Sequence, residues 1–283
     1  CGLGRHYRVG RDGEQGPSSS LSDRASASGN LVAVSLSVPG YAKLRSEGSR
    51  GLVMLSCRAE IEDILKKETL HAYAARQADS RQFKGRTTAY GIQLGCGRVV
   101  VRHAMRGGIM ARAGSDLFLP PTRGLRELMN SLRLRVAGVS TPEVACFVSY
   151  NAGPLFRRSD VATREIPESH DLAVVLREMP DADHRESCLV ATGRLLALMA
   201  RVGAHHPDLN ARNVLITWDH DGANAHILDV DRIRFHVPGT PMVADANVER
   251  LERSLRKLRE NEQLNVSDDD IAMIETAARE PVT

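Results

Sequence analysis

HHPDLNARNVLI, residues 205–216, is the stretch on which the fold of this chain turns. His206, Asp208, Asn210 and Asn213 follow at steps of two, two and three, and the run then passes directly into Val214, Leu215 and Ile216. Asp and Asn bond to their own backbone and favour turns, whereas a short apolar run with β-branched members favours a buried strand. The spacing predicts a polar loop feeding a strand. A loop so rich in carboxylate and amide groups can hold a site.

The flanking segments extend this pattern. Upstream, DLAVVLRE (171–178) and RESCLVATGRLLALMARVGAH (185–205) are helical in period, the second amphipathic through Leu189, Leu195, Leu196, Met199 and Val202. Downstream, NVLITWD and AHILDVDRIRF (225–235) flank the turn HDGAN, which predicts a hairpin beside the loop. A basic helix, NVERLERSLRKLRE, is expected to close the chain, with Val248, Leu251, Leu255 and Leu258 at helical spacing.

The first half reads differently. LVAVSLSV from Leu31 and GLVMLSC (51–57) predict two strands joined by the turn-rich PGYAKLRSEGSR. AEIEDILKKETLHAYAARQ (59–77) lacks Gly and Pro and predicts one helix. GRTTAYGIQLGCGRVVVRHAMRGG (85–108) reads as a hairpin about LGCG, and TRGLRELMNSLRLRVAG (122–138) as a helix stopped by Gly138. EVACFVSY and SDVATREIP (159–167) predict two further strands. The expected organisation is a disordered tail at 1–30, a β-rich lobe at 31–166 and a mainly helical lobe at 167–283, an α+β chain.

Bulk composition removes several function classes. With 38 basic and 35 acidic residues the net charge is +3, too small a surplus to require nucleic acid as a partner. The longest apolar runs fall far short of the roughly 20 residues of a membrane-spanning helix. Cys1, Cys57, Cys96, Cys146 and Cys188 are widely spaced and odd in number, so neither a zinc site nor a disulfide framework is expected, and a reducing compartment is. Cys96, between two glycines, reads as a small residue in a tight turn. Aromatics are only 4% of the chain, so the core should be aliphatic.

A β-rich lobe, a helical lobe, an Asp-x-x-x-x-Asn loop running into a strand, and an Asp at the end of the next strand form the layout of phosphoryl-transfer enzymes of the kinase type. In that layout Asp208 accepts or orients the attacking hydroxyl. Asn213 and Asp229 hold a magnesium ion on the nucleotide phosphates, because a hard cation takes oxygen ligands. An isolated Asp-x-x-x-x-Asn is also an ordinary capped turn; here His206, the apolar strand and LDVD (228–231) accompany it.

Several segments also resemble the lipopolysaccharide core kinases, and among them the 3-deoxy-D-manno-octulosonic acid (Kdo) kinases. HPDLNARNVLI is similar to that family's H-x-D-L-N-x-x-N-[IVL]-L loop, with Asn210 where protein kinases usually carry Lys. LDVDR (228–232) resembles its I-D-F-D-R, with Val230 for the aromatic residue, and VVVRHAMRGG (99–108) its L-R-H-x-x-R-G-G. The likeness runs from about Gly85 to Leu258. It implies a bilobal protein-kinase-like fold that binds ATP and Mg²⁺ between the lobes.

By the same resemblance Arg102 stands in the place of the phosphate-binding lysine, with Glu127 as its helix partner. Gly85 belongs to the glycine loop, which has Thr87 where a second glycine is usual. Glu165, Ile166 and Pro167 form the hinge beside the adenine, where backbone groups make the contacts, and Asp231 is a further metal or orienting carboxylate. The implied acceptor is a Kdo–lipid A sugar at the cytoplasmic face of the inner membrane, which the basic final helix would touch peripherally. A small-molecule or protein kinase, or an inactive nucleotide-binding scaffold, remains the alternative.

Overall fold

Strand propensity and alternation build one large antiparallel sheet, and the helices gather on its faces and beyond one end of it. The computed structural model describes residues 38–83, 88–105, 116–119, 123–178 and 181–280. The expected tail at 1–30, nearly all of the strand expected from Leu31, Gly85 with Thr87, and the Arg106–Gly108 run lie outside the described residues. The described residues fall in one compact unit, Ser37–Thr283.

Seven strands form the sheet: β1 (Tyr41–Ser46), β2 (Ser49–Met54), β3 (Arg81–Phe83), β4 (Ala89–Leu94), β5 (Gly97–His103), β6 (Val144–Asn151) and β7 (Arg157–Arg164). Their order is β1-β2-β6-β7-β5-β4-β3, and every pairing is antiparallel. Helices α1 (Arg58–Leu65) and α2 (Leu70–Arg76) join the sheet in an aliphatic cluster of Leu44, Ile61, Leu70, Ile92, Val99, Val101 and Val148. Helix α3 (Arg123–Val136) packs against β6 and β7, where Gly124 lets its backbone approach Phe147 and Val161.

The expected stop at Gly138 is a Schellman turn. Gly138 adopts a φ of +80°, its N–H donates to Arg135 O at 3.0 Å, and Val139 N–H donates to Leu134 O at 2.9 Å.

The second aliphatic cluster is built by α4 (Leu172–Glu178), α5 (Ala182–Arg201), the hairpin β10 (Val214–Asp219) with β11 (Gly222–Ile227), and α6 (Pro241–Glu262) with α7 (Asp268–Arg279). Short strands complete it, with β8 (His170–Asp171) on β10 and β12 (Arg234–Phe235) on β9 (Ala204–His205). Leu134 and Val139, at the end of α3, belong to this cluster rather than to the sheet cluster. Among the described residues no helix is long and apolar enough to cross a membrane.

Four expectations are corrected. The partner of β2 is β1, inside the segment read as a turn; YAKLRS alternates well enough to pair, and the turn is only Glu47 and Gly48. The single helix expected over 59–77 is two, because Thr69 takes an extended backbone and caps α2 by accepting from Ala72 N–H. The basic helix does not close the structure: α7 follows it. Ser267 and Asp270 form a capping box, three acids fill the first turn, and Ile271, Ile274, Ala277 and Ala278 face the core. Helix α7 lies against α5 at Gly193, where a Cβ would stand 2.5 Å from Ala277 Cβ.

The fourth correction concerns the cysteines. Cys57, just before α1, and Cys96, in the β4–β5 turn, form a disulfide with Cα atoms 5.2 Å apart, across 39 residues of sequence. The pair has no short-range spacing, so tertiary proximity alone reveals it, and the expectation of a reducing compartment loses its basis. Cys146 and Cys188 are buried free thiols. Denatured protein should therefore titrate at least two fewer thiols before reduction than the five it shows after reduction. Replacing Cys57 and Cys96 by Ser should lower stability by about 4 kcal/mol on the chain-entropy estimate for a loop of this length; five reactive thiols in unreduced protein would contradict the assignment.

Candidate active site

Period-two alternation along β5 sends Val99 and Val101 into the α1–α2 cluster and turns Arg102 to the opposite face, under α3. There the Arg102 guanidinium meets two carboxylates, donating from Nη2 to Glu127 Oε1 and from Nη1 to Asp229 Oδ1. Glu127 is on the inner face of α3 and is 7% exposed. Its carboxyl is pushed up to about 7, first by burial and further by Asp231 and Asp229, while Arg102 pulls it back. Glu127 and then Asp229 hold the guanidinium firmly protonated against its own burial. The pair expected between Arg102 and Glu127 is present, and it is shared with Asp229.

Asp229 ends the β11 segment in a left-handed backbone, φ 53° and ψ 41°, a conformation that Asp tolerates better than most residues. A single 3-10 turn, Val230–Arg232, follows. Asn130, one turn along α3 from Glu127, donates from Nδ2 to Val230 O at 2.7 Å and to Ile233 O at 3.3 Å. One face of α3 therefore holds both Arg102 and the segment that carries Asp229.

The 206–213 loop is fixed from inside and from behind. His206 is fully buried, its Nε2 lies 3.2 Å from Leu228 O, and its Nδ1 accepts Asp208 N–H at 3.3 Å. Those partners require the neutral Nε2–H tautomer, and burial lowers the imidazole pKa. The histidine thus braces the loop backbone. Asn213 and Asn210 both donate from Nδ2 to Asp208 O, at 3.2 and 3.0 Å, and Leu228 N–H donates to Asn213 O at 2.8 Å. Asp208, Asn213 and Asp229 are thus tied through adjoining backbone.

From behind, α6 presents three groups on one face. Asn247 accepts His206 N–H at 3.0 Å and donates to Ala204 O at 2.9 Å; Arg250 Nε donates to Pro207 O at 3.1 Å; Ser254 Oγ accepts Ala211 N–H at 3.2 Å. On the open side, Arg232 Nη1 forms an ion pair with Asp208 Oδ2.

Asp231 is mostly buried, with its pKa raised chiefly by desolvation, and its nearest cation is Arg123 Nε at 3.9 Å. Glu165 and Ile166, expected to form the hinge, follow the end of β7. Glu165 N–H donates to Arg98 O at 3.1 Å, and the Glu165 carboxylate turns back to Arg98 Nε at 2.9 Å and Arg81 Nη1 at 3.6 Å. Ile166 O accepts Ser169 Oγ–H at 2.8 Å. Among the described residues one trio of acidic and imidazole groups has ligand atoms within 4.8 Å of one another, Asp219, His220 and Asp221; it is an exposed hairpin turn away from this cleft. The roles of Asn130, Asn247 and Arg232 were not read from the sequence. The spacing of Asn247, Arg250 and Ser254 was a legible signal, read only as a charged surface.

A family model, the lipopolysaccharide kinase (Kdo/WaaP) family, matches residues 71–276. A 3-deoxy-D-manno-octulosonic acid kinase of Xanthomonas oryzae pv. oryzae is 33% identical over 203 residues, 68% of this chain and 76% of the relative. One from Vibrio parahaemolyticus is 30% identical over 197 residues, 68% of this chain and 79% of the relative. The solved structure of WaaP in complex with acyl carrier protein superposes with a TM-score of 0.52 at 16% identity, covering 82% of this chain and 90% of that one; it shares the fold.

Truncating Asn247 to Ala should leave His206 N–H and Ala204 C=O buried without partners. At about 1–3 kcal/mol for each such group, a loss of roughly 2–6 kcal/mol is expected in denaturant unfolding. A variant as stable as the parent would show that α6 does not brace the loop.

Proposed function

Because this chain belongs to the lipopolysaccharide kinase (Kdo/WaaP) family, we infer that it transfers the γ-phosphate of ATP to a hydroxyl of Kdo in the lipopolysaccharide inner core. The observation that carries this reading is the Arg102 guanidinium shared by Glu127 and Asp229, beside a loop that offers Asp208 and Asn213. A phosphoryl transfer of this kind needs positioning and charge neutralisation more than a strong nucleophile.

In the proposed reaction the acceptor oxygen forms a bond to the γ-phosphorus, the bond to the β–γ bridging oxygen breaks, and that electron pair leaves with ADP. Asp208 takes the acceptor proton. Arg102 contacts the phosphates and the hinge backbone at Glu165 and Ile166 receives the adenine; Gly85, assigned to the glycine loop by family likeness, lies outside the described residues. Asn213, Asp229 and Asp231 offer a set of hard oxygen donors that fits Mg²⁺. Among the described residues Asn213 Oδ1 and Asp229 Oδ2 accept no hydrogen bond. When bound, the ion neutralises phosphate charge.

A lipid-linked acceptor favours action at the cytoplasmic face of the inner membrane. On α6 the exposed Arg253 and Lys257 are available for peripheral contact there.

Asp208→Ala should cut ATP-dependent phosphorylation of Kdo–lipid A by on the order of 10²–10⁴-fold, with fluorescent-nucleotide affinity little changed. Retained transfer would refute the role of Asp208. ATP turnover without sugar phosphorylation in the parent protein would point to another acceptor, and absence of any turnover to a binding scaffold.

A further inference from the structure

Charge is unevenly supplied around Asp208. The 206–213 loop carries one cation of its own, and Arg212 is turned away, both of its contacts being to Glu262 at 2.6 Å. Asn210 stands where protein kinases usually carry lysine, and its side chain is consumed by the loop itself, donating to Asp208 O and accepting Arg212 N–H at 3.0 Å. Arg102 is bonded to Glu127 and Asp229, not to Asp208, and is already assigned to the nucleotide's phosphates. A phosphoryl group approaching the Asp208 side of the cleft would therefore meet a carboxylate with no cation from its own loop.

The missing charge arrives from the other side of the cleft. The left-handed turn at Asp229 and the 3-10 turn after it, held by Asn130 and by Ile233 N–H on Val230 O at 3.2 Å, bring Arg232 back onto Asp208. The Arg232 side chain is 47% exposed and that of Asp208 42%, so both are reachable by a ligand. A guanidinium has five N–H donors in a planar fork. Among the described residues its ion-pair partner is Asp208, and its side chain makes no hydrogen bond, which leaves donors for phosphate oxygens while Asp208 keeps its contact. Negative charge on the transferring group spreads over three equatorial oxygens, and preorganised cations aimed there are worth most.

We propose that Arg232 is a catalytic residue whose guanidinium binds the phosphoryl group in transit beside Asp208, supplying the positive charge absent from the 206–213 loop. This rests on the reading of Asp208 as the acceptor's base. Acceptor oxygen–phosphorus bond formation, loss of the bond to ADP and proton transfer to Asp208 proceed as described above, and Arg232 exchanges no proton.

The test uses the full chain with Arg232→Gln and Arg232→Lys, whose folding is checked by thermal melting. Steady-state kinetics with Mg-ATP should show kcat for Kdo–lipid A phosphorylation and for transfer to water falling together in Arg232→Gln, on the order of 10²–10³-fold. KM for ATP should stay within about threefold, and Arg232→Lys should recover part of the loss. By calorimetry, the parent should bind ADP more tightly with aluminium fluoride, a mimic of the planar phosphoryl group, than ADP alone, and Arg232→Gln should lose that difference.

Unchanged kcat, a change in KM alone, faster transfer to water, or an undiminished aluminium fluoride effect in the variant would each overturn the proposal. If the parent turns over ATP but not the sugar, the acceptor assignment fails while the water reaction still tests Arg232. Should the Gln variant not fold, Arg232→Lys carries the test, with kcat below the parent's and a smaller aluminium fluoride effect expected.

Discussion

One cation holds the cleft together. Arg102, on the interior strand β5 of the sheet, is shared by a carboxylate on α3 and a carboxylate at the end of the β10–β11 hairpin, so three elements distant in sequence meet at one guanidinium. Taking such charges from water is costly, and a buried pair adds little net stability. What the arrangement provides is position. Removing the cation would leave Glu127, Asp229 and Asp231 facing one another, and burial already pushes Glu127 up to about 7 even with Arg102 present. The interaction is better understood as fixing geometry at some cost than as a source of stability.

The rest of the site depends on that frame by way of backbone. Helix α3 reaches Arg102 through Glu127 and the Asp229 segment through Asn130, two side chains three residues apart on one face. His206 then joins the 206–213 loop to Leu228, and Asn247 of α6 joins the same loop to the helical cluster. No polar side chain in this chain of contacts is buried without a partner, as the low dielectric around it demands. Movement of α3 would therefore be felt at Asp229 and, through Leu228, at Asp208.

Much of this was legible in the sequence, and the legible parts share a cause. Asp208, Asn213 and Asp229 lie within 22 residues on two sides of one hairpin, where local turn chemistry and strand pattern set the geometry. Arg102 and Glu127 were found through family likeness. Gly138 was found because only a residue at ease with positive φ ends a helix in that way. The failures are mostly of tertiary origin. Cys57 and Cys96 meet through sheet and helix packing across 39 residues, a distance that no local spacing encodes. Asn247 was hidden by its charged neighbours on α6. Thr69 and the Ser267–Asp270 capping box were visible local signals, and the apolar pattern around them was given more weight.

If the shared cation assembles the cleft, Arg102 and Glu127 must act as one unit, and a double-mutant cycle on kcat/KM for ATP measures this directly. The account predicts that Arg102→Met and Glu127→Gln are each strongly impaired and that the double variant is within about threefold of the worse single one. Losses that multiply in the double variant would show two independent residues and contradict it.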